Sequence, residues 1–167
     1  LAFASPRIEL TSESSDGIDV TVEFDEPEYE TVRRREGRFV EVSVEGLRSD
    51  ADPGAPAQPK LSRVIAVPPG MQAEIERIYV EVEPIPFPFP IAYALAPRRH
   101  CTGGRAAART VRRDRRAYRA AAPAFAALST VSAMGAANVA MLTFSPIERE
   151  GDHAVSFARK IRARIAF

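Results

Sequence analysis

The sequence contains few of the residues that build catalytic, metal or disulfide sites. It has one cysteine, Cys101, and two histidines, His100 and His153, among 167 residues. A single cysteine excludes an internal disulfide framework and a multi-cysteine metal site. No apolar run approaches the roughly 20 residues that a membrane-spanning helix needs, so we expect no membrane partner. Lysine is also scarce, since only Lys60 and Lys160 are lysines among the 23 basic residues.

The rest of the composition is typical of a globular protein built from strands. Hydrophobic residues make up 46% and charged residues 27% of the chain, which excludes a disordered chain. The length suits one domain with a proper core, so we predict a single domain over residues 1–167. The 14 prolines and 9 glycines argue against a helical bundle and favour short strands joined by turns.

Apolar and polar residues alternate with a period of two in several segments, as in strands with one buried face. The clearest alternation covers residues 18–24, 40–44 and 155–167. Further strands are predicted over residues 28–32, 63–67, 73–83, 125–131 and 139–144. Together these segments predict an all-β fold, an antiparallel β-sandwich or a partly closed barrel with short or no helices.

Three local features refine that prediction. The apolar phase slips between Ile75 and Ile78, which predicts a β-bulge there. Residues 139–144 are apolar on both faces, which predicts a central position in their sheet. Residues 148–152 contain Gly151 and are predicted to form a hairpin turn.

Charge is distributed unevenly along the chain. Residues 1–83 carry 9 basic and 18 acidic side chains, a net charge of −9, whereas residues 84–167 carry 14 and 4, a net charge of +10. Nine arginines lie between residues 98 and 119, after a proline-rich extended segment over 84–90. Because this run breaks the β pattern, we predict that 98–119 is an arginine-rich exposed loop with one or two helical turns near its end. Clustered positive charge of this kind often marks a partner surface.

The sequence offers no convincing catalytic or cofactor site. His100 and Cys101 are neighbours, so their side chains point apart and His100 is poorly placed to activate the thiol. His153 opens a strand after a turn, where we expect an exposed histidine. Gly103-Gly104 lacks the strand and helix that flank a phosphate-binding loop. We therefore predict that the chain is not an enzyme and binds no cofactor or metal, and an enzyme using Cys101 is the weakest hypothesis.

One short segment bears on the cellular compartment. Residues 2–4, with the sequence Ala-Phe-Ala, have the small-x-small spacing of a signal-peptidase site. We therefore expect an exported protein, in the periplasm, at the cell surface or secreted.

Two segments resemble a known family. The stretch from Gly54 to Pro68, GAPAQPKLSRVIAVP, resembles the G-x-P-x-x-P segment and following short strand of gingipain-type cysteine-peptidase propeptides. The stretch from Val139 to Ile147, VAMLTFSPI, is similar to that family's strand ending in a proline turn, P-[hydrophobic]-x-Y-N-P. Residues 149–151, Arg-Glu-Gly, replace the Y-N-P of the family. The order of these motifs extends the resemblance over about residues 38 to 167.

The resemblance implies a non-catalytic prodomain that inhibits a gingipain-like cysteine peptidase and assists its folding. The partner is then the cognate peptidase catalytic domain. In arginine-specific members of the family, a basic residue on a prodomain loop occupies the specificity pocket. The nearest positional matches are Arg98 and Arg99, with Arg105 as a third candidate.

An alternative remains open for the arginine-rich segment. An extracellular β-sandwich binding module could use it to engage a polyanion or an acidic protein surface. For nucleic acid we expect only weak, non-specific binding, because Tyr118 is the one aromatic residue inside the segment and single-strand readers need several.

Overall fold

The structure is a computed structural model that describes residues 6–49, 51–85, 89–95, 111–120 and 124–167, with only the backbone of Val155. These residues form eleven strands and one short helix. The strands are β1 (Arg7–Ser14), β2 (Gly17–Glu23), β3 (Glu28–Arg34), β4 (Gly37–Ser43), β5 (Leu61–Val67), β6 (Glu74–Pro84), β7 (Ala126–Leu128), β8 (Ser132–Met134), β9 (Ala137–Phe144), β10 (Ile147–Glu150) and β11 (His153–Ala166). The helix is α1 (Arg115–Arg119).

The largest sheet is organised around β11. Its residues 160–166 pair with β2, which pairs in turn with β1, and its residues 153–157 pair with β10. Along residues 156–166 its other edge pairs with β6. All these pairings are antiparallel, so a strand from the end of the chain lies between two strands from its first half.

A second sheet packs against the first. In it β9 lies between β5 on one edge and β7 and β8 on the other. The β3–β4 hairpin forms a separate two-stranded sheet. One buried cluster joins side chains from β2, β4, β5, β7, β9, β10 and β11, with Phe144, Ile161 and Ile165 fully buried. The fold is thus a β-sandwich without a closed barrel, which confirms the predicted fold class.

The local predictions have mixed outcomes. The bulge is confirmed, because Arg164 pairs with Arg77 and Ile165 with Ile75, which leaves Glu76 without a partner in the ladder. β9 is central in its sheet as predicted. Its outward face nevertheless stays exposed, with Met141 48% accessible, so apolar residues on both faces do not mean burial on both faces here.

Three strands were not expected, namely β1, β8 and β10. β8 begins just after the strand predicted over residues 125–131, of which only β7 is present. β1 has no clear alternation, and all eight of its residues are exposed, so its place in the sheet comes from backbone pairing with β2. The predicted turn over residues 148–152 is wrong in its extent. Ile147–Glu150 forms β10, which pairs with the start of β11, and only residues 151–152 turn.

Candidate functional site at the base of the arginine-rich segment

The three arginines predicted to enter a peptidase pocket, Arg98, Arg99 and Arg105, lie outside the described residues, as do His100 and Cys101. The structure does describe the chain on both sides, over residues 89–95 and 111–120. These two flanks form the base of the arginine-rich segment, and their geometry is the candidate site.

The first flank is an extended segment held on two sides. On one side it contacts β4, because Val40 accepts at its carbonyl from the Ala92 N–H (2.7 Å) and donates to the Pro90 carbonyl (2.8 Å). On the other side it pairs with the loop before β5, where the Ala94 N–H donates to Ala55 (2.9 Å). The flank is therefore fixed by its backbone like a short strand.

Tyr93 adds a side-chain anchor to the first flank. Its ring packs edge-on against Phe39, with centroids 5.4 Å apart, and only 3% of the residue is exposed. Its hydroxyl donates to the Glu36 carboxylate at 2.8 Å. Burial, and then this hydrogen bond, raise the pKa of Tyr93, while the same bond lowers the pKa of Glu36. Tyr93 thus remains a neutral donor at neutral pH.

The second flank ends in α1, whose start has a clear sequence cause. Asp114 is the N-cap, and its carboxylate accepts from the backbone N–H groups of Arg116 (2.8 Å) and Ala117 (3.2 Å). These are two of the N–H groups that a helix start leaves without partners. The acidic residue within a run of arginines therefore sets where the helix begins.

Tyr118 holds α1 on the sandwich. Only 2% of Tyr118 is exposed, and its hydroxyl donates to the Ile91 carbonyl on the first flank. Burial raises the pKa of Tyr118 to about 12, although Arg113 and Arg149 nearby oppose this shift. The phenol therefore keeps its proton and its hydrogen bond at physiological pH.

Arg113 covers the same ring. Its guanidinium carbon lies 4.2 Å from the Tyr118 ring centroid, within cation–π range. It also donates to the Asp152 carboxylate at 2.6 Å. Burial acts to raise the pKa of Asp152, but this hydrogen bond and the charges of His153 and Arg113 outweigh burial and leave that pKa below its usual range.

Gly54, the first residue of the motif noted in the sequence, connects the two flanks. Its N–H donates to the Ala94 carbonyl (2.9 Å), and its carbonyl accepts from the Asp114 N–H (2.8 Å). Its φ is +93°, a region that favours glycine, and a Cβ here would overlap the carbonyl oxygen of Arg112. Only glycine satisfies both conditions.

The two motif segments are neighbours in the fold. Gln58 is buried and its amide donates to the Ile147 carbonyl (3.4 Å), while Leu61 pairs with Phe144 across the β5–β9 ladder. The two segments that carry the family resemblance therefore pack against each other.

Arg149 is a site residue that the sequence did not indicate. It is 7% exposed, and it donates to the backbone carbonyls of Tyr118 (2.6 Å), Ala120 (3.2 Å) and Gly151. Two of these acceptors lie at the carboxyl end of α1, where a helix leaves carbonyls unpaired. Burial lowers the pKa of Arg149, partly offset by Tyr118 and Asp152.

The prediction of an exposed loop over 98–119 needs one correction. Within its described part Tyr118 is buried and Arg113 is half-buried, so this stretch is a surface turn anchored to the sandwich. The other arginines of the stretch are exposed and have no ion pair among the described residues: Arg112, Arg115, Arg116 and Arg119. Beside them is a groove of about 470 Å³ lined by Arg113, Arg115, Tyr118, Arg119, Gly151 and Asp152.

Other kinds of site find no support in the described part of the chain. His153 is exposed as expected, with 47% of its side chain accessible, and its Nδ1 lies 2.7 Å from Asp152. The described ranges contain no group of three or more potential metal ligands. In the same ranges no helix has the length and apolarity to cross a membrane.

Comparisons with known proteins find one matching family model and solved structures with a similar fold. The Propeptide_C25 family model matches residues 4–85. A structure on the zymogenic latency of gingipain K from Porphyromonas gingivalis is similar, with a TM-score of 0.69 and 18% identity, covering 100% of this chain and 95% of that one. A structure of the complex of P. gingivalis RgpB pro- and mature domains has a TM-score of 0.72 and 15% identity, covering 96% and 83%. Among curated protein sequences none matches significantly.

The family model also shifts the limits of the resemblance. The motifs placed it over about residues 38 to 167, whereas the model covers residues 4–85. The model thus includes β1 and β2, and the second motif, Val139 to Ile147, lies outside it. At 15–18% identity the two solved structures show the shared fold, which extends over nearly the whole chain. The comparisons therefore support the resemblance to the propeptides of gingipain-like cysteine peptidases, with the family model matching residues 4–85.

Proposed function

We propose that this chain is the prodomain that keeps a gingipain-like cysteine peptidase inactive and assists its folding. The observation that carries the proposal is the match of the C25 propeptide model to residues 4–85 within a fold shared with gingipain prodomain structures. The chain itself is non-catalytic, and its partner is the cognate catalytic domain.

The proposed inhibitory group is one arginine of the arginine-rich segment, with Arg98, Arg99 and Arg105 as candidates. A guanidinium matches a pocket carboxylate with two parallel hydrogen bonds. The anchored flanks support this choice, because they fix the chain immediately before and after the segment that carries the candidates. Neighbouring side chains in an extended chain point to opposite sides, so we expect only one of Arg98 and Arg99 to enter the pocket.

The test is the inhibition constant of the wild-type chain and of three variants, Arg98→Ala, Arg99→Ala and Arg105→Ala, against the peptidase encoded with it. The variant that loses the pocket contact should bind more weakly by about 2–5 kcal/mol, because a desolvated charged pair is removed. Arg116→Ala is the matched control, since Arg116 is exposed and without an ion pair among the described residues. Its change should stay below about 1 kcal/mol.

Two results would contradict parts of this proposal. If all variants inhibit equally, no single arginine fills the pocket, and inhibition must come from cover of the cleft by the sandwich. If the wild-type chain neither inhibits the peptidase nor increases its refolding yield, the prodomain function itself is wrong.

A second function has one observation in its favour. Four exposed arginines in or just before α1 lack carboxylate partners among the described residues, as expected of a binding module for a polyanion or an acidic protein. Such a module should bind heparin with an affinity that falls steeply and linearly in log–log against salt. Inhibition of the peptidase without tight polyanion binding at physiological salt favours the prodomain.

Export follows from the family, whose propeptides belong to exported peptidases. We place the chain in the periplasm, at the cell surface or in the medium. Fractionation of cells that express the full reading frame, with the chain detected by antibody, distinguishes these compartments. Recovery in the cytoplasm alone would contradict export.

A further inference from the structure

The described residues on the two sides of segment 96–110 are bound to one residue. Gly54 donates its N–H to Ala94, two residues before the segment, and accepts at its carbonyl from Asp114, four residues after it. The contacts use only the backbone of Gly54, and the absence of a Cβ permits the close approach of Arg112. Gly54 therefore connects two parts of the chain that are 20 residues apart.

A second bridge joins the same two ends through side chains. Tyr118, after the segment, donates its hydroxyl to the carbonyl of Ile91, before it. The Ile91 N–H donates to the Asp152 carbonyl (2.9 Å), and the Asp152 carboxylate accepts from Arg113 (2.6 Å). Ile91 and Tyr118 are 0% and 2% exposed, so water does not compete for their hydrogen bond.

Arg149 completes the arrangement from the rest of the sandwich. It belongs to β10, which is paired with β11, and its guanidinium binds carbonyls at the end of α1. The second flank is thus attached to the first flank by Gly54 and Tyr118, and to the large sheet by Arg149. We call the set Gly54, Ile91, Tyr118 and Arg149 the flank clamp.

We propose that the flank clamp positions the arginine-rich segment for inhibition, by holding together the residues on its two sides before the chain binds the peptidase. This inference rests on the proposed inhibitory function. A loop whose ends are already fixed loses less conformational entropy on binding, which strengthens the complex without any new contact. The clamp residues are positioning residues, because none of them needs to touch the peptidase.

The first test measures the clamp in the free chain. In Gly54→Ala the new Cβ collides with Arg112, whereas in Gly70→Ala, the matched control, a glycine at φ +77° has nothing within 4 Å of the added Cβ. Amide exchange over residues 91–95 and 111–120 should rise about tenfold in Gly54→Ala relative to Gly70→Ala, with exchange in β9 equal in the two variants. Equal exchange at the flanks in both variants overturns the clamp.

Tyr118→Phe keeps the test decisive if Gly54→Ala fails to fold. It removes only the hydroxyl that reaches Ile91 and keeps the buried ring. We expect exchange at both flanks to rise about fivefold, as the loss of one buried hydrogen bond predicts. Tyr79→Phe, on an exposed ring of β6, is its control and should leave the flanks unchanged.

The second test is inhibition of the peptidase by the same variants, each assayed at the same interval below its own melting temperature. The inhibition constant should rise about fivefold for Tyr118→Phe and stay unchanged for Tyr79→Phe, since the opened ends must be ordered again on binding. Faster exchange with unchanged inhibition would make the clamp merely structural and overturn the proposal. A wild-type chain that does not inhibit at all refutes the proposed function instead, and the exchange result then still decides whether the clamp exists.

Discussion

The chain has two basic regions in its second half, and they use their charges differently. Three of the four basic side chains of β11 pair with carboxylates from the first half of the chain. The pairs are Arg159 with Glu26 (2.8 Å) and Glu83 (2.5 Å), Lys160 with Glu23, and Arg164 with Asp19 (2.8 Å). In the described part of the arginine-rich segment, Arg113 alone has an ion pair.

The difference follows from the topology of the large sheet. β11 carries basic residues and lies between β2 and β6, which carry acidic residues. The strand order therefore neutralises part of the opposite charges of the two halves, −9 and +10, inside the molecule. Arg112, Arg115, Arg116 and Arg119 have no ion pair in the part of the chain that the structure describes, so we expect their charge to be available to a partner.

The largest expected effect is on the inner face of β11. Ile161 is fully buried between the sheets, so Ile161→Ala should lower the free energy of unfolding by about 2–5 kcal/mol through lost burial and a cavity. Arg162→Ala, next to it on the exposed face, should change stability by under about 0.5 kcal/mol. Urea unfolding of both variants measures this. Equal losses would show that the outer charges stabilise β11 as strongly as its core side does.

Arg149 should have the next largest effect, because it is a cation held by carbonyls instead of carboxylates. Arg149→Met removes hydrogen bonds from a charged donor and should cost about 1.5–3 kcal/mol. Arg116→Met on the exposed side of α1 is the control and should be near neutral. Thermal unfolding followed by circular dichroism compares them. A neutral Arg149→Met would mean that α1 does not depend on this contact.

The ion-paired carboxylates of the large sheet should make the stability of the fold depend on pH in the acid range. The Ser12 hydroxyl, followed by Arg164, lowers the pKa of Asp19 below 3.8 against the opposing effect of burial, and Lys160 lowers the pKa of Glu23 below 4.5. A carboxyl with a lowered folded pKa stabilises the fold above its unfolded pKa, and this stability is lost as pH falls through the folded value.

At pH 7 the double variant Asp19→Asn, Glu23→Gln should therefore be less stable than the wild type. Between pH 5 and pH 2 its free energy of unfolding should fall by less than that of the wild type. The effect should be smaller than that of Arg149→Met, because both carboxylates are solvent-exposed and screened. Glu30→Gln on the exposed β3 is the control. If the double variant and the wild type lose the same stability between pH 5 and pH 2, these ion pairs are not formed in solution.

Much of the fold could be predicted from the sequence because one face of most strands is buried. The alternation over residues 18–24 and 155–167 corresponds to β2 and β11, whose apolar residues meet in the core. β1 escaped prediction because neither of its faces is buried, so its sequence RIELTSES carries no period. β10 was mistaken for a turn because it is only four residues long and contains three charged residues.

The candidate site was predictable only in part. Gly54 was visible in the sequence as the first residue of the G-x-P-x-x-P motif, but its backbone conformation was not predicted. The links from Tyr118 to Ile91 and from Arg149 to Tyr118 span 27 and 31 residues, and nothing local marks either partner. Arg113 looks like any other arginine of the run, and only its contact with Asp152 distinguishes it.

The smallest stability effect is expected from the unpaired arginines themselves. Replacing Arg112, Arg115 and Arg116 with Gln removes no ion pair among the described residues, so each substitution should change the free energy of unfolding by under about 0.5 kcal/mol. Association with the peptidase should nevertheless slow at low salt, and the difference from wild type should vanish at high salt, because exposed charges steer encounter and are screened. Stopped-flow association at two ionic strengths measures this, with Arg162→Gln on β11 as the control at an exposed arginine remote from α1 in sequence. If the triple variant and the control associate equally at every ionic strength, the charges beside α1 do not face the partner, and the distinction between the two basic regions is limited to ion pairing within the domain.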